Sequence, residues 1–215
     1  MTIIWDFNGT LLNDMQVCVD CMNILLEERA LPPIGTEQYR EIFTFPVKEY
    51  YMHLGFDFEK EDFEVPAHRF IDLYRERLPN APLHDEVKSV MDHFRAKGFR
   101  QVVLSAMEQE FLDEAMRSKG IEHYFDRIAG ITDHLGEGKN EMARSLIGTL
   151  PAAKSEIIMI GDTLHDYEVS QANGIRCILI THGHQSPEIL NGVECPKVSN
   201  FNELKDLIDR IGQLS

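Results

Sequence analysis

The chain has 215 residues, enough for one full core and a small second domain. Its 36 acidic against 21 basic residues give a formal charge of −15, which argues against nucleic acid and against anionic membrane surfaces as partners. An anionic substrate would need a local cationic pocket or a metal to overcome the overall field.

The chain opens on an apolar run, Ile3-Ile4-Trp5, that ends in Asp6 and the turn Phe7-Asn8-Gly9-Thr10. This predicts a buried strand with a carboxylate at its carboxyl end. No charged-then-apolar leader is present and no apolar run approaches membrane length, so a reduced, cytoplasmic enzyme is expected. From Met15 to about Ala30 apolar residues recur at helical spacing until Leu31-Pro32-Pro33 stops the pattern. Cys18 and Cys21 have the CxxC spacing but fall on this helical pattern, and they read as buried thiols. Residues 34–80 stay helical and aromatic-rich, from Tyr39, Phe43 and Phe45 to Phe70 and Tyr74. That stripe is expected to be the segment's own core rather than a ligand site. Pro79-Asn80-Ala81-Pro82 reads as a return linker. Residues 14–82 are therefore predicted to form an all-helical domain inserted after the first strand, within a core domain of 1–13 and 83–215.

Beyond the linker helix and strand alternate strictly. Helices are predicted over 85–97, 108–119, 141–150, 166–173 and 202–211, and strands over 100–104, 127–131, 156–160 and 176–180. Such alternation implies right-handed crossovers and a doubly wound parallel sheet, an α/β fold. In such a sheet the carboxyl ends of the strands face one crevice. Asp6, Ser105 at the end of Val102-Val103-Leu104, and Asp162 after Ile158-Met159-Ile160-Gly161 would converge there, with Asp166 just beyond. Lys139 stands alone at the mouth of a helical pattern, where the helix dipole disfavours a cation. His182 and His184 follow the last core strand and read as a solvated loop.

Asp6-Phe7-Asn8-Gly9-Thr10-Leu11, Ser105, Lys139, and Gly161-Asp162-Thr163 with Asp166 resemble, in order, the four motifs of the haloacid dehalogenase superfamily. The branch is that of phosphoglycolate phosphatase and β-phosphoglucomutase, which carries a helical cap between the first two motifs. The resemblance implies a hydrolase of small phosphorylated metabolites in which Asp6 is the nucleophile. A carboxylate can accept a phosphoryl group and split one hard step into two. Asp6, Asp162 and the backbone carbonyl of Asn8 would offer the oxygen ligands that Mg²⁺ prefers. Asp166 would hold the metal's water or orient Lys139, and Lys139 would neutralise charge on the phosphoryl group. Gly9, Thr10, Ser105 and the backbone at Ala106 would hold phosphoryl oxygens. Lys48, in the cap segment Phe45-Pro46-Val47-Lys48, would reach the substrate.

Asn8 departs from the pattern, since the phosphatases have a second Asp there that protonates the leaving oxygen. An amide hydrogen-bonds but shuttles no proton at neutral pH. Three outcomes are compatible with it: a slow phosphatase suited to good leaving groups, a phosphonatase-like C–P hydrolase using a cap lysine as an imine, or a regulatory phosphate-binding protein without turnover.

Overall fold

The computed structural model describes residues 1–131 and 138–213. After β1 (Thr2–Trp5) come four helices, α1 (Met15–Glu27), α2 (Thr36–Ile42), α3 (Val47–His53) and α4 (Glu64–Arg77). The alternating part follows as α5 (Val87–Ala96), β2 (Arg100–Glu108), α6 (Gln109–Lys119), β3 (Arg127–Ile131), α7 (Lys139–Thr149) and β4 (Ile157–Gly161). It continues as α8 (Leu164–Asn173), β5 (Arg176–Ile180), α9 (Pro187–Leu190), β6 (Lys197–Val198) and α10 (Phe201–Gln213).

The six strands among the described residues form one sheet in the order β3-β2-β1-β4-β5-β6, and each of these pairings is parallel. The chain builds outward from β1 on one side and then crosses to β4 on the other. β1 and β4 therefore flank the point where strand order reverses, and the crevice beyond their carboxyl ends is where such sheets bind ligands. Trp5 pairs in register with Val103 and Ile160, so the residues just past them emerge side by side.

The pleat distributes the core. Ile3 and Trp5 join one apolar cluster with Phe94 of α5 and Phe201 of α10, while Ile4, Val102 and Met159 join Leu146 of α7 and Val169 of α8 on the opposite face. No strand falls in 14–82 among the described residues, and α1–α4 form the helical cap. Where the chain leaves and re-enters the core, its two passes pair: Leu12 bridges Leu83, Asn13 donates to the Pro82 carbonyl at 2.8 Å, and His84 to that of Leu11 at 3.0 Å. The cap is tied down elsewhere by Arg40, whose guanidinium donates to the carbonyls of Thr181, Gly183 and Gln185 at 2.6, 3.0 and 3.1 Å.

The structure adds to the expected elements in two places. β2 continues to Glu108, with a register shift against β3 after Leu104, so Ser105 lies inside the strand rather than at its end. β6 and α9 span two and four residues, too short to show a period. No helix among the described residues is long and apolar enough to cross a membrane.

Candidate active site

Asp6 leaves β1 at the crevice and is buried, with its backbone N–H donating to the Ile160 carbonyl at 2.8 Å. Lys139, the first residue of α7, is also buried and donates to Asp6 Oδ1 and, at 2.6 Å, to Asp166 Oδ1. Its position at a helix start is explained by these two carboxylates, which outweigh both its burial and the dipole. They raise its pKa although burial works to lower it. Asp166 is the third residue of α8. Its other oxygen accepts from the N–H groups of Asp162 and Thr163 at 3.2 and 3.1 Å and from the Thr163 hydroxyl at 2.7 Å. It thus caps the helix and orients Lys139 together.

Asp162 is buried, with Oδ1 accepting from the Thr10 hydroxyl at 2.8 Å and Oδ2 from the His184 N–H at 2.7 Å. Gly9, at φ +71°, and Gly183 pack against this carboxylate so closely that a Cβ on either would overlap Asp162 Oδ2. The Thr10 hydroxyl is therefore committed to Asp162. Ser105 is buried beside Asn8, donating to Asn8 Oδ1 at 3.3 Å while its Oγ accepts from the Met107 N–H at 3.1 Å. Ala106 is exposed toward the same cavity.

A second buried cluster, unanticipated from sequence, adjoins the first. Asp14 Oδ1 accepts from the Gly9 N–H at 2.8 Å, and Oδ2 accepts from Tyr74 Oη at 2.5 Å and Asn8 Nδ2 at 3.0 Å. Asn8 Nδ2 also donates to Tyr74 Oη at 2.7 Å. His184 Nε2 lies 3.3 Å from Asp14 Oδ1, and its Nδ1 lies 2.9 Å from Tyr39 Oη. Burial opposes the charge on both members, but the pairing prevails: Asp14 falls to about 2, helped by Tyr74 and Asn8, and His184 rises to about 9. His184 is thus a buried cation, not a residue of a solvated loop. His182 is half-buried, stacked on His84 at 3.7 Å, and the two histidines meet the carbonyls of Thr10 and Gly9 at 3.3 and 3.0 Å. Asp14 sits at the start of α1, where an Asp reads as a cap, and nothing in the sequence pattern sets it apart from one.

Among the described residues, four buried carboxylates (Asp6, Asp14, Asp162 and Asp166) thus face two buried cations, Lys139 and His184. The shortfall bears on the acidity of these carboxyls. Burial, only partly offset by Lys139, pushes Asp6 well above the usual carboxylate range, with Asp166 and Asp162 adding repulsion. Burial likewise raises Asp162 to about 6. Oxygens of Asp6, Asp162 and Asp166 lie within 4.8 Å of one another. A hard, all-oxygen donor set with a deficit of positive charge fits a divalent cation.

Above this floor a cavity of about 300 Å³ opens beneath the cap. The aromatic stripe of 34–80 has two roles here. Tyr51, Phe56, Phe58 and Phe63 pack on one another, and Tyr51 also lines the cavity together with Phe43, Phe45, Tyr50 and Phe70, where the sequence predicts internal core alone. Lys48 is not among its walls. It is exposed, with its ammonium 5.4 Å from the centre of the Phe58 ring.

The family model described as haloacid dehalogenase-like hydrolase matches residues 3–180. The pyrophosphatase PpaX of Halalkalibacterium halodurans is 21% identical over 98% of this chain and 96% of its own length. The tyrosine-protein kinase PtkA of Mycobacterium tuberculosis is 22% identical over 98% of this chain and 72% of its own. Among solved structures, that of a predicted phosphoglycolate phosphatase from Haemophilus somnus superposes with a TM-score of 0.80 at 18% identity, covering 96% of this chain and 97% of the other.

Proposed function

The chain belongs to the haloacid dehalogenase-like hydrolases, and we propose that it hydrolyses a small phosphomonoester through a phosphoryl intermediate on Asp6. The observation that carries this reading is Asp6 itself, buried at the strand-order reversal and held by Lys139, which Asp166 holds in turn. The likeness to a pyrophosphatase and to a predicted phosphoglycolate phosphatase supports it.

In this reading an Asp6 oxygen attacks phosphorus as the ester oxygen departs with the bonding pair. Water then attacks the acyl phosphate, releasing inorganic phosphate and restoring the carboxylate. Lys139 neutralises charge on the transferring group, and Ser105 with the Ala106 N–H receives its oxygens. Asp6, Asp162 and the Asn8 carbonyl would hold Mg²⁺, which when bound supplies charge neutralisation at the phosphoryl oxygens. Asn8 positions rather than protonates: its amide is bonded to Asp14, Tyr74 and Ser105. The leaving oxygen therefore departs without a proton from this position.

We assign catalysis to residues 1–13 and 83–215 and substrate enclosure to 14–82, with the paired passes at Leu12 and Leu83 supporting that junction. The phosphonatase-like alternative loses support, because the only lysine among the described residues lining the cavity is Lys139, which is occupied by Asp6 and Asp166. The binding-only alternative gives no role to a nucleophile held this way.

The test is turnover of a panel of phosphomonoesters with Mg²⁺ and with excess chelator, for wild type and Asp6→Asn. Turnover that needs both the metal and Asp6 is expected. Turnover by Asp6→Asn would remove the nucleophile, and full activity in chelator would remove the metal.

A further inference from the structure

Resting on the phosphatase reading, we infer that the substrate is the phosphate ester of an uncharged aromatic alcohol, an aryl phosphate carrying one ring and no second anionic group. Three observations carry this inference.

The first is the cavity wall. Phe43, Phe45, Tyr50, Phe70, Met107 and Phe111 surround the space above Asp6 and Lys139. Aromatic walls receive a ring in offset or edge-to-face contact, and an apolar wall gives no solvation to a charge. A volume of about 300 Å³ is at the low end for small-molecule sites, enough for a phosphoryl group and one ring.

The second is the state of the cations. Among the described residues lining the cavity, each cationic or imidazole group already has a partner. Lys139 is bonded to Asp6 and Asp166, and His184 to Asp14 and Tyr39. Arg75 is bonded to Glu108 at 2.7 Å and lies over Phe111 at 4.7 Å, and His165 is stacked on Phe45 at 4.8 Å. A carboxylate or second phosphate on the leaving group would enter an apolar space with no unengaged cation to meet it, which is costly. The aryl ester avoids that cost.

The third is Asn8, which contributes no proton to the leaving oxygen. In the first step the O–P bond breaks, its electron pair stays on the leaving oxygen, the phosphoryl group passes to Asp6, and the oxygen takes its proton from water. That departure is feasible unaided for a phenolate, whose conjugate acid has a pKa of about 10, and much harder for an alkoxide. The wall chemistry and the missing acid select the same class of ester by independent routes.

The experiment separates ligand class from turnover. Binding of two non-hydrolysable probes, benzylphosphonate and 3-phosphonopropionate, is measured by calorimetry on the full chain in Mg²⁺. Alongside it, kcat/KM is measured for phenyl phosphate, phosphoglycolate and pyrophosphate. Benzylphosphonate is expected to bind about 10- to 100-fold more tightly than 3-phosphonopropionate, and phenyl phosphate to lead kcat/KM by a similar factor. Phe70→Lys, on a half-buried helical position outside the catalytic groups, should narrow the binding ratio about 10-fold by supplying a cation. Equal or reversed binding of the two probes by wild type overturns the inference, even where phenyl phosphate is turned over. Tight benzylphosphonate binding with no turnover of any ester sustains the ligand class and overturns the phosphatase reading instead.

Discussion

The side-chain amide of Asn8 donates to Oδ2 of Asp14 at 3.0 Å, and the Tyr74 hydroxyl of the cap reaches the same oxygen at 2.5 Å. The residue that departs from the family pattern is therefore fitted to a buried carboxylate beside it. Asn8→Asp would set two carboxylates against each other, and one would hold a proton at the cost of stability. A loss of about 1–3 kcal/mol is expected for the single variant. Asn8→Asp with Asp14→Asn should be more stable than the two single effects predict by about 0.5–3 kcal/mol, as for directly contacting groups. Denaturant unfolding of all four proteins measures this, and strict additivity would mean the contact carries no weight.

Asp6→Asn should lower turnover by on the order of 10⁴ or more, as loss of a nucleophile does. In the absence of divalent cation the variant should be as stable as wild type or more so, because burial and Asp162 and Asp166 disfavour the Asp6 charge. Thermal unfolding in chelator checks the second part, and a clear loss of stability would show that Lys139 depends on Asp6.

Stabilisation by Mg²⁺ should grow with pH. Asp162 is raised from 3.8 to about 6 and burial raises Asp6 as well, so without a cation these groups cost stability as pH rises through that range. A divalent ion cancels this cost where the groups are ionised. The Mg²⁺-dependent rise in Tm should thus be small at pH 5 and larger at pH 7.5. An equal rise at both would place the ion elsewhere.

The Asp14–His184 pair has the opposite signature. His184 is raised from 6.5 to about 9, so its contribution is complete below about pH 6.5 and is lost as pH rises through 9. Asp14 is lowered from 3.8 to about 2, so its contribution is complete above about pH 4 and is lost as pH falls through 2. Asp14→Asn should cost about 3–5 kcal/mol between those limits, as removing one partner of a buried pair does, and less on either side. A flat difference across the range would rule out the pair as an ionic one.

Lys48→Ala should leave KM and kcat unchanged and shift stability by no more than about 0.5–1 kcal/mol, the value of an exposed cation over a ring. Borohydride with a carbonyl substrate should trap no adduct at this position. A raised KM would bring Lys48 to the substrate in a state other than this one.

The sequence alone determined much of the core. Its core strands are legible as apolar runs, and their strict alternation with helices leaves few topologies open. From that alternation it followed that Asp6, Asp162 and Asp166 would meet, since parallel strands deliver their carboxyl ends to one edge. Lys139 was marked by its unfavourable place at a helix start, and the family resemblance supplied its role. Tertiary structure alone decided what surrounds them. Asp14, His184 and Tyr74 come from the start of α1, the loop after β5 and the cap. Their meeting is a long-range contact with no periodic trace in the chain. The same holds for the aromatic stripe, where helical spacing fixes which rings share a face but not whether that face meets protein or an open cavity. Only the docking of the cap over the strand ends, fixed by Arg40 and the paired passes at Leu12 and Leu83, turned that face into the wall of a site.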